Sequence, residues 1–355
     1  MIDFRYHLVS IVAVFLALAI GIVLGSTELQ GDTIDALRLS SNQLNKELNT
    51  SNGERDSYEQ QVNAYQQFLA TAGAEQRLLA NELTGDQIVL VTEPGASSTV
   101  ISGIKQAAGL AGATVTGEVA LQPSFNDLSG ANESSLYQIN SSLASTSQTT
   151  LATPGDQQTA NQQDAAELIG TAILAATTAG ETQGLSPAGA QSLLGAYAQA
   201  GYLSISSVGG ALYDRATLAV IVTPATAPSD GQNDPASQVL LAVAQEFATL
   251  SAATIVVGST DGSAAGSAIS VLRSSSVSSQ VSSVDNADTI VGQVSTIWAL
   301  ADQLRGEKPN SYGISGASAV SPVPSALPSA TPSTTTTPTP RPTKTGKGDK
   351  SVKKK

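Results

Sequence analysis

The sequence contains no cysteine, one histidine and one methionine among its 355 residues. Without cysteine the chain can form neither a disulfide nor a thiolate metal site. The single histidine, His7, lies beside a long apolar run, where a histidine is more often an interfacial residue than a catalytic or metal-binding one. These absences exclude the disulfide-rich secreted class and the cysteine-based enzymes.

Basic residues are scarce everywhere except at the C-terminal end. The first 340 residues carry 10 Lys and Arg against 28 Asp and Glu, whereas the last fifteen hold seven basic residues and one acidic residue. Aromatic residues make up 4% of the chain. Because nucleic-acid binding requires clustered Lys and Arg to neutralise phosphates, we expect no nucleic-acid partner for this acidic body.

One uninterrupted apolar run, Leu8–Gly25, stands out near the N-terminus. Its eighteen residues carry no charge, and Ser10 is its only polar side chain. As a helix it would be about 27 Å long, close to the ~30 Å hydrocarbon core of a bilayer. The run predicts a transmembrane anchor over residues 8–25. A cleaved signal sequence is the alternative, since Val23–Gly25 offers small residues for a peptidase, but the run is longer than a usual signal core.

The flanking charges predict the orientation of this anchor. Arg5 precedes the run, whereas Glu28, Asp32 and Asp35 follow it. The positive-inside preference therefore places residues 1–7 in the cytoplasm and the bulk of the chain outside the cytoplasmic membrane.

Residues 26–84 show a heptad pattern typical of a coiled coil. With Ile34 at position a, the remaining a and d positions are mostly apolar or aromatic, but polar residues from Ser51 to Arg55 predict a hinge, a stutter or a break. The seam positions are Ser41, Leu48, Arg55, Val62, Leu69, Gln76 and Leu83 at a, and Leu37, Leu44, Tyr58, Tyr65, Ala72 and Leu79 at d. The pattern favours parallel self-association, hence a homo-oligomer, over an antiparallel arrangement or a single helix folded back on the following domain.

Residues 86–305 alternate between apolar, β-branched runs and helical patterns. This alternation predicts an α/β domain with a mostly parallel sheet flanked by helices on both faces. The predicted strands are Gln87–Thr92, Thr114–Leu121, Leu203–Ser206, Thr217–Thr223, Thr254–Gly258 and Gln280–Val284. The predicted helices are Ser98–Leu110, Glu133–Ala144, Gln162–Thr177, Pro187–Ala200, Ala236–Leu250, Ser263–Arg273 and Ala287–Leu304.

Residues 306–355 are rich in Pro, Thr and Ser and end in a lysine cluster. Such a segment cannot bury enough apolar area to offset its chain entropy, so we predict a disordered tail. Its basic end either binds acidic cell-wall polymers or anionic lipid by charge alone, or has no partner.

The chain offers few residues for chemistry. Ligands of parallel sheets bind at the carboxyl ends of the strands, which points to the loops Glu93–Ser98 and Ser259–Gly266. The second loop, with Gly258, Gly262 and Gly266, is neither a dinucleotide fingerprint nor a P-loop.

Individual side chains in this region do not form a catalytic set either. Asp261 has no neighbouring His or Cys, and a serine nucleophile would need Lys105, the only lysine of the body, as its base. Asp285 and Asp288 would pair on a surface loop or cap the last helix. We therefore predict no catalytic, cofactor-binding or metal-binding residues, no cofactor, and no enzyme activity.

The opening RYHLVSIVAVFLALAIGIVLGS, the polar heptads after it, the strand QIVLVTEPGA and the segment GATVTGEVAL resemble the actinobacterial MctB family. The resemblance covers Arg5 to about Leu304. It implies a cell-envelope protein associated with copper efflux or resistance, in a family described as channel-forming in the outer envelope. No copper-ligand motif of the family maps onto residues of this sequence.

The residue types of the α/β body do not suit copper binding. Cu(I) prefers thiolate and thioether ligands, and copper in general accepts imidazole, none of which the α/β body contains. Two hypotheses follow. The protein either serves copper homeostasis by assembling or supporting an export path, or is an interaction protein that recruits or regulates envelope partners such as cell-wall hydrolases.

Overall fold

The computed structural model describes residues 4–71, 73–147, 151, 159–175, 185–207, 211–224, 234–260, 262 and 266–322. Within them an N-terminal helix leads into an α/β domain with a seven-stranded sheet. The helices are α1 (Phe4–Thr71), α2 (Ala74–Leu79), α3 (Ser98–Leu110), α4 (Gly130–Ser147), α5 (Ala160–Ile173), α6 (Pro187–Gln199), α7 (Pro235–Leu250), α8 (Ala268–Ser274) and α9 (Ile290–Leu304). The strands are β1 (Gln87–Thr92), β2 (Thr114–Leu121), β3 (Leu203–Ser207), β4 (Leu218–Val222), β5 (Ala253–Val257), β6 (Ser282–Val284) and β7 (Ser311–Tyr312).

The strands are arranged in the order β3-β2-β1-β4-β5-β6-β7, and all neighbours are parallel except β2 and β3. This confirms the predicted mostly parallel α/β domain. Because the central strands are apolar on both sides, successive residues of β1 enter different cores: Ile88 and Leu90 pack with α2, α3 and α9, while Val89 and Val91 pack with α4 to α8. Helices therefore cover both faces of the sheet, as parallel sheets require.

The sheet extends beyond the predicted domain end at residue 305. Ser311 and Tyr312, which the sequence assigns to the tail, form β7 beside β6. Arg273 of α8 connects β7 to the rest of the domain. It donates to the carbonyl oxygen of Tyr312 at 2.7 Å and to the carboxylate of Asp285 at 2.8 Å. The remaining tail, residues 323–355, lies outside the described residues.

Helix α1 is continuous from Phe4 to Thr71. The helix is therefore not broken at Ser51–Arg55, while the hinge and stutter alternatives stay predictions. It ends at Thr71, and Gly73 adopts φ +60. Sixty-eight residues correspond to about 100 Å of helix. A coiled coil would need a second helix along this length, so the predicted pairing remains a prediction about partners.

The last two seam positions have a different role from the predicted one. Leu79 and Leu83 are completely buried in the core beneath α3 and α9. Trp298 of α9 donates its indole N–H to the carbonyl oxygen of Leu78 at 3.0 Å. The C-terminal end of the predicted coiled coil is thus part of the α/β core, and it joins α1 to the sheet.

We expect Trp298→Phe to loosen this joint. The substitution removes the bond to Leu78 and leaves a carbonyl group without its donor, which should lower the free energy of unfolding by about 1–2 kcal/mol. Urea denaturation of the full chain in detergent measures the loss. Tyr137→Phe, at a more exposed aromatic residue of α4, is the control, and equal stability of the two variants would contradict the role of Trp298.

Candidate functional site

The strand order reverses direction between β1 and β4, because β2 follows β1 on one side and β4 lies on the other. In open α/β sheets this reversal leaves a crevice outside the carboxyl ends of the two strands, where ligands commonly bind. In this chain the crevice is formed by the residues that directly follow β1 and β4. They are Glu93 and Thr223, and the predicted loop Glu93–Ser98 begins there.

Glu93 is buried in an unusual state. Its side chain is 3% exposed, and neither carboxyl oxygen has a hydrogen-bond partner among the described residues. Its backbone N–H donates to the carbonyl oxygen of Val222 at 3.0 Å, which fixes it beside the end of β4. Burial, and secondarily the charge of Asp234, raises the pKa of Glu93 from 4.5 to about 8. The carboxyl group is therefore mostly protonated at neutral pH.

Thr223 lies next to Glu93 and is likewise buried with an unpartnered side-chain oxygen. It is 1% exposed, and its hydroxyl group has no partner within the described ranges. Alternation along the strands places Glu93 with Val91 and Thr223 with Ile221, on the face covered by α7. Space for the hydroxyl group comes from Gly258 at the end of β5, where a Cβ atom would lie 2.7 Å from the Thr223 Oγ1 atom.

The helix that faces this crevice is α7. Asp234 caps it by accepting from the backbone N–H of Ser237 at 3.1 Å. The polar groups of the crevice are thus the Glu93 carboxyl and the Thr223 hydroxyl, and the charge of Asp234 acts on Glu93.

The second predicted loop lies one strand further along the same edge. Ser259 accepts from the N–H of Gly262 at 3.3 Å, and both the N–H and the hydroxyl of Thr260 donate to Asp288, at 2.8 and 3.0 Å. These bonds connect the described part of the loop, at Ser259 and Thr260, to Gly262 and Asp288. Asp261 lies outside the described residues.

The predicted pairing of Asp285 with Asp288 is wrong. Asp285 is completely buried and forms an ion pair with Arg273, while Asp288 holds the loop at Thr260. The cap of α9 is Thr289, which accepts from the N–H of Gly292 at 3.1 Å. Asp285 also accepts from the N–H groups of Ile314 and Ser315, so it fastens the chain beyond β7.

The remaining candidates are distributed over the surface. Lys105, considered as a catalytic base, pairs with Glu118 at 2.7 Å, and Glu118 also accepts from Thr92. His7 is exposed on α1. Among the residues that the structure describes, no group of three or more His, Cys, Asp or Glu side chains is placed to hold a metal ion.

Helix α1 presents two apolar surfaces outside the α/β core. The segment Tyr6–Gly25 is long and apolar enough to cross a membrane, and none of it is buried against the protein. Further along, the seam residues Leu37, Leu44, Leu48, Tyr58, Val62 and Tyr65 are each at least half exposed. A groove of about 640 Å³ separates the stretch from Ser51 to Asn63 from Thr260.

An apolar N-terminal helix long enough to span a bilayer, followed by an acidic α/β domain, defines a membrane-associated class of protein. A family model described as "Copper transport outer membrane protein, MctB" matches residues 1–324, and the chain belongs to this MctB family. This confirms the resemblance seen in the sequence from Arg5 to about Leu304.

Curated relatives extend over nearly the same length. The chain is 30% identical over 329 residues to proteins named copper transporter MctB from Mycobacterium tuberculosis and Mycobacterium bovis, covering 90% of this chain and 98% of each relative. It is 28% identical over 338 residues to the copper transporter MctB of Mycobacterium leprae, covering 90% of this chain and 99% of that relative.

Proposed function

We propose that this protein supports copper transport at the cell envelope as a membrane-anchored, non-enzymatic assembly component. The copper part of this proposal is supported by the relatives, which are named copper transporter MctB. The observation that carries the assembly role is the exposed apolar seam on α1, which includes Leu44 and Leu48 at 62% and 59% exposure. Leucine side chains arranged at heptad spacing gain free energy when a second helix covers them.

The anchor in this proposal is Tyr6–Gly25. Its length and apolar surface suit a bilayer, and Arg5 before it against Glu28 and Asp32 after it supports a cytoplasmic N-terminus with the α/β domain outside. The seam then follows the membrane directly. A second copy of the chain, anchored in the same orientation, could pair along it in parallel.

The composition of the chain supports a role beside the ion path. Copper sites use thiolate, thioether and imidazole ligands, whereas this sequence has no Cys, one Met and one His. We therefore place copper as the cargo of the assembled system. Because this observation also favours an interaction protein in general, we keep a second candidate function: a coiled-coil scaffold that regulates envelope partners such as cell-wall hydrolases in growth or division.

We expect Leu48→Asp to weaken self-association by at least about tenfold, since it places a charge in the middle of an apolar seam. Analytical ultracentrifugation of the full chain in detergent measures the association constant. Asn42→Asp adds the same charge to α1 outside the seam and is the matched control. Equal association of both variants and the unmodified protein would remove the seam as the interface.

The two functions differ in what a deletion strain loses. If the copper role holds, the strain becomes copper-sensitive, and the Leu48→Asp protein fails to restore tolerance while Asn42→Asp restores it. If the strain keeps normal copper tolerance but divides or elongates abnormally, the scaffold function replaces the copper role.

A further inference from the structure

Arg55 is the only charged residue among the seam positions of α1 from Leu37 to Tyr65. It occupies position a, one heptad after Leu48 and one heptad before Val62, and its side chain is 68% exposed. Because α1 is continuous through this stretch, the heptad spacing places all three residues on one side of the helix. A second helix that covers Leu48 and Val62 must therefore also cover a charge.

Two glutamates stand at the edges of the seam beside Arg55. Glu54 occupies position g and Glu59 position e, and the Nε atom of Arg55 lies 3.6 Å from a carboxylate oxygen of Glu59. In a parallel pair of helices a g residue faces the partner's e residue of the next heptad, and an a residue packs against the partner's preceding g residue. Two copies in register therefore oppose Glu54 to Glu59 twice, and each Arg55 lies between Glu59 of its own chain and Glu54 of the second copy.

We propose that Arg55 selects the alignment in which two parallel copies of α1 pair, because only the in-register pair gives both Arg55 side chains a carboxylate from the opposite chain. Such a role presupposes the self-association proposed above and adds the residue that sets its register. The occupant of the seam is a second copy of this chain, since the acidic residues that complement Arg55 belong to the same segment of sequence.

A shift of one heptad, about 10 Å along the helix, removes part of this complementarity. One Arg55 would then face Leu48 of the second copy, and the other would face Val62 with the neutral Gln61 beside it. A charge that enters an apolar layer without an oppositely charged partner costs free energy. The sequence with Arg55 therefore disfavours the shifted pair, as single polar residues at position a do in other coiled coils.

Replacing Arg55 by leucine should weaken this preference. Arg55→Leu leaves the two Glu54–Glu59 contacts of the in-register pair without a cation, and facing like charges act against an alignment. After a shift of one heptad a single such contact remains, between Glu47 and Glu59, while the new leucine packs against an apolar a residue. We therefore expect both alignments to be populated in this variant.

The test uses the absence of cysteine from the chain, so that engineered cysteines report contacts without background. The full chain in detergent is oxidised mildly. Ser41→Cys, at position a, forms a disulfide between two copies in register. A Ser41→Cys chain co-expressed with a longer, tagged Leu48→Cys chain forms a mixed disulfide only after a shift of one heptad. Asn42→Cys, at position b outside the seam, replaces Ser41→Cys to give the background.

With Arg55 present, we expect the Ser41→Cys disulfide and a mixed disulfide at background level. Arg55→Leu should raise the mixed disulfide at least about threefold. Arg55→Lys keeps the charge, and Lys46→Leu removes a charge of α1 outside the seam, so both should retain the unmodified pattern. A mixed disulfide that Arg55→Leu leaves unchanged would overturn the role of Arg55, as would one that Lys46→Leu raises equally.

Analytical ultracentrifugation of the same samples separates this role from the self-association on which it rests. If the unmodified chain does not associate, both fail. If it associates but Ser41→Cys copies form no disulfide, the helices pair antiparallel or out of register, and the role of Arg55 alone is overturned.

Discussion

Arg273→Ala should lower the free energy of unfolding by about 3–5 kcal/mol. The guanidinium group is 10% exposed and pairs with Asp285, which is completely buried. It also donates to Ser283 at 3.0 Å and to the carbonyl oxygens of Tyr312 and Ser315. Its removal leaves a buried carboxylate without its counter-ion and β7 without its fastening. Chemical denaturation of the full chain in detergent measures the effect.

The control for this prediction is Arg305→Ala. Arg305 also pairs with a carboxylate, Asp302, at 2.7 Å, but its side chain is 41% exposed. Exposed ion pairs contribute little, so we expect a loss below about 1 kcal/mol. Similar losses of stability in the two variants would contradict the prediction, because they would show that burial of Asp285 does not strengthen its ion pair with Arg273.

Glu93→Gln should stabilise the protein at alkaline pH and flatten its pH dependence. The pKa of Glu93 lies near 8 in the folded protein and near 4.5 when the group is solvated. Between these values the folded state holds a proton that the unfolded state has lost, so stability falls as the pH rises through this window. The glutamine variant lacks this proton exchange, and the difference amounts to about 3–5 kcal/mol across the whole window.

Urea denaturation at several pH values measures this difference. Burial also raises the pKa of Glu75 and Glu167, so a weaker dependence of the same sign remains in the variant. Glu118→Gln keeps Glu93 and should retain the full dependence. A Glu93→Gln protein with an unchanged pH profile would contradict the assignment of a protonated, buried carboxyl group.

The strands of the central sheet were predictable because their sequences are locally unambiguous. Gln87–Thr92 and Thr114–Leu121 are apolar, β-branched runs bounded by turn residues, and both form strands with the predicted bounds. Strand β7 was not predictable. Ser311 and Tyr312 stand among Pro, Gly and Ser, and the groups that hold them, Arg273 and Asp285, lie 26 or more residues earlier. The composition around Ser311 and Tyr312 gives no information about contacts with residues so far away in the chain.

The candidate site was predictable in place but not in chemistry. The parallel sheet pointed to the loop that begins at Glu93, because ligands bind at carboxyl ends of strands. The state of Glu93 depends on Thr223 and Asp234, which are 130 or more residues later in the chain. Only the strand order brings β4 beside β1 and buries the carboxyl group. A lone glutamate before Pro94 and Gly95 gives no local signal of this kind.

The heptad pattern shows a further limit of periodicity. Leu79 and Leu83 continue the spacing of Leu44 and Leu48, yet they belong to the core of the α/β domain. A period identifies the apolar face of a helix but does not name what covers it. The covering surface at Leu79 is α3 and α9, whereas that of Leu48 awaits the association experiment.

The parallel direction of β1, β4, β5, β6 and β7 has a mechanical consequence. The chain enters this block at the amino end of β1, next to α2, and leaves it at the carboxyl end of β7. Tension between α1 and the C-terminal segment would therefore pull the two outer strands of the block in opposite directions along their length. Shearing requires many inter-strand bonds to fail together, whereas peeling breaks them one at a time. Strand β7, however, pairs with β6 through two residues, so under such tension this edge and the Arg273 contact that fastens it would yield before the longer central strands.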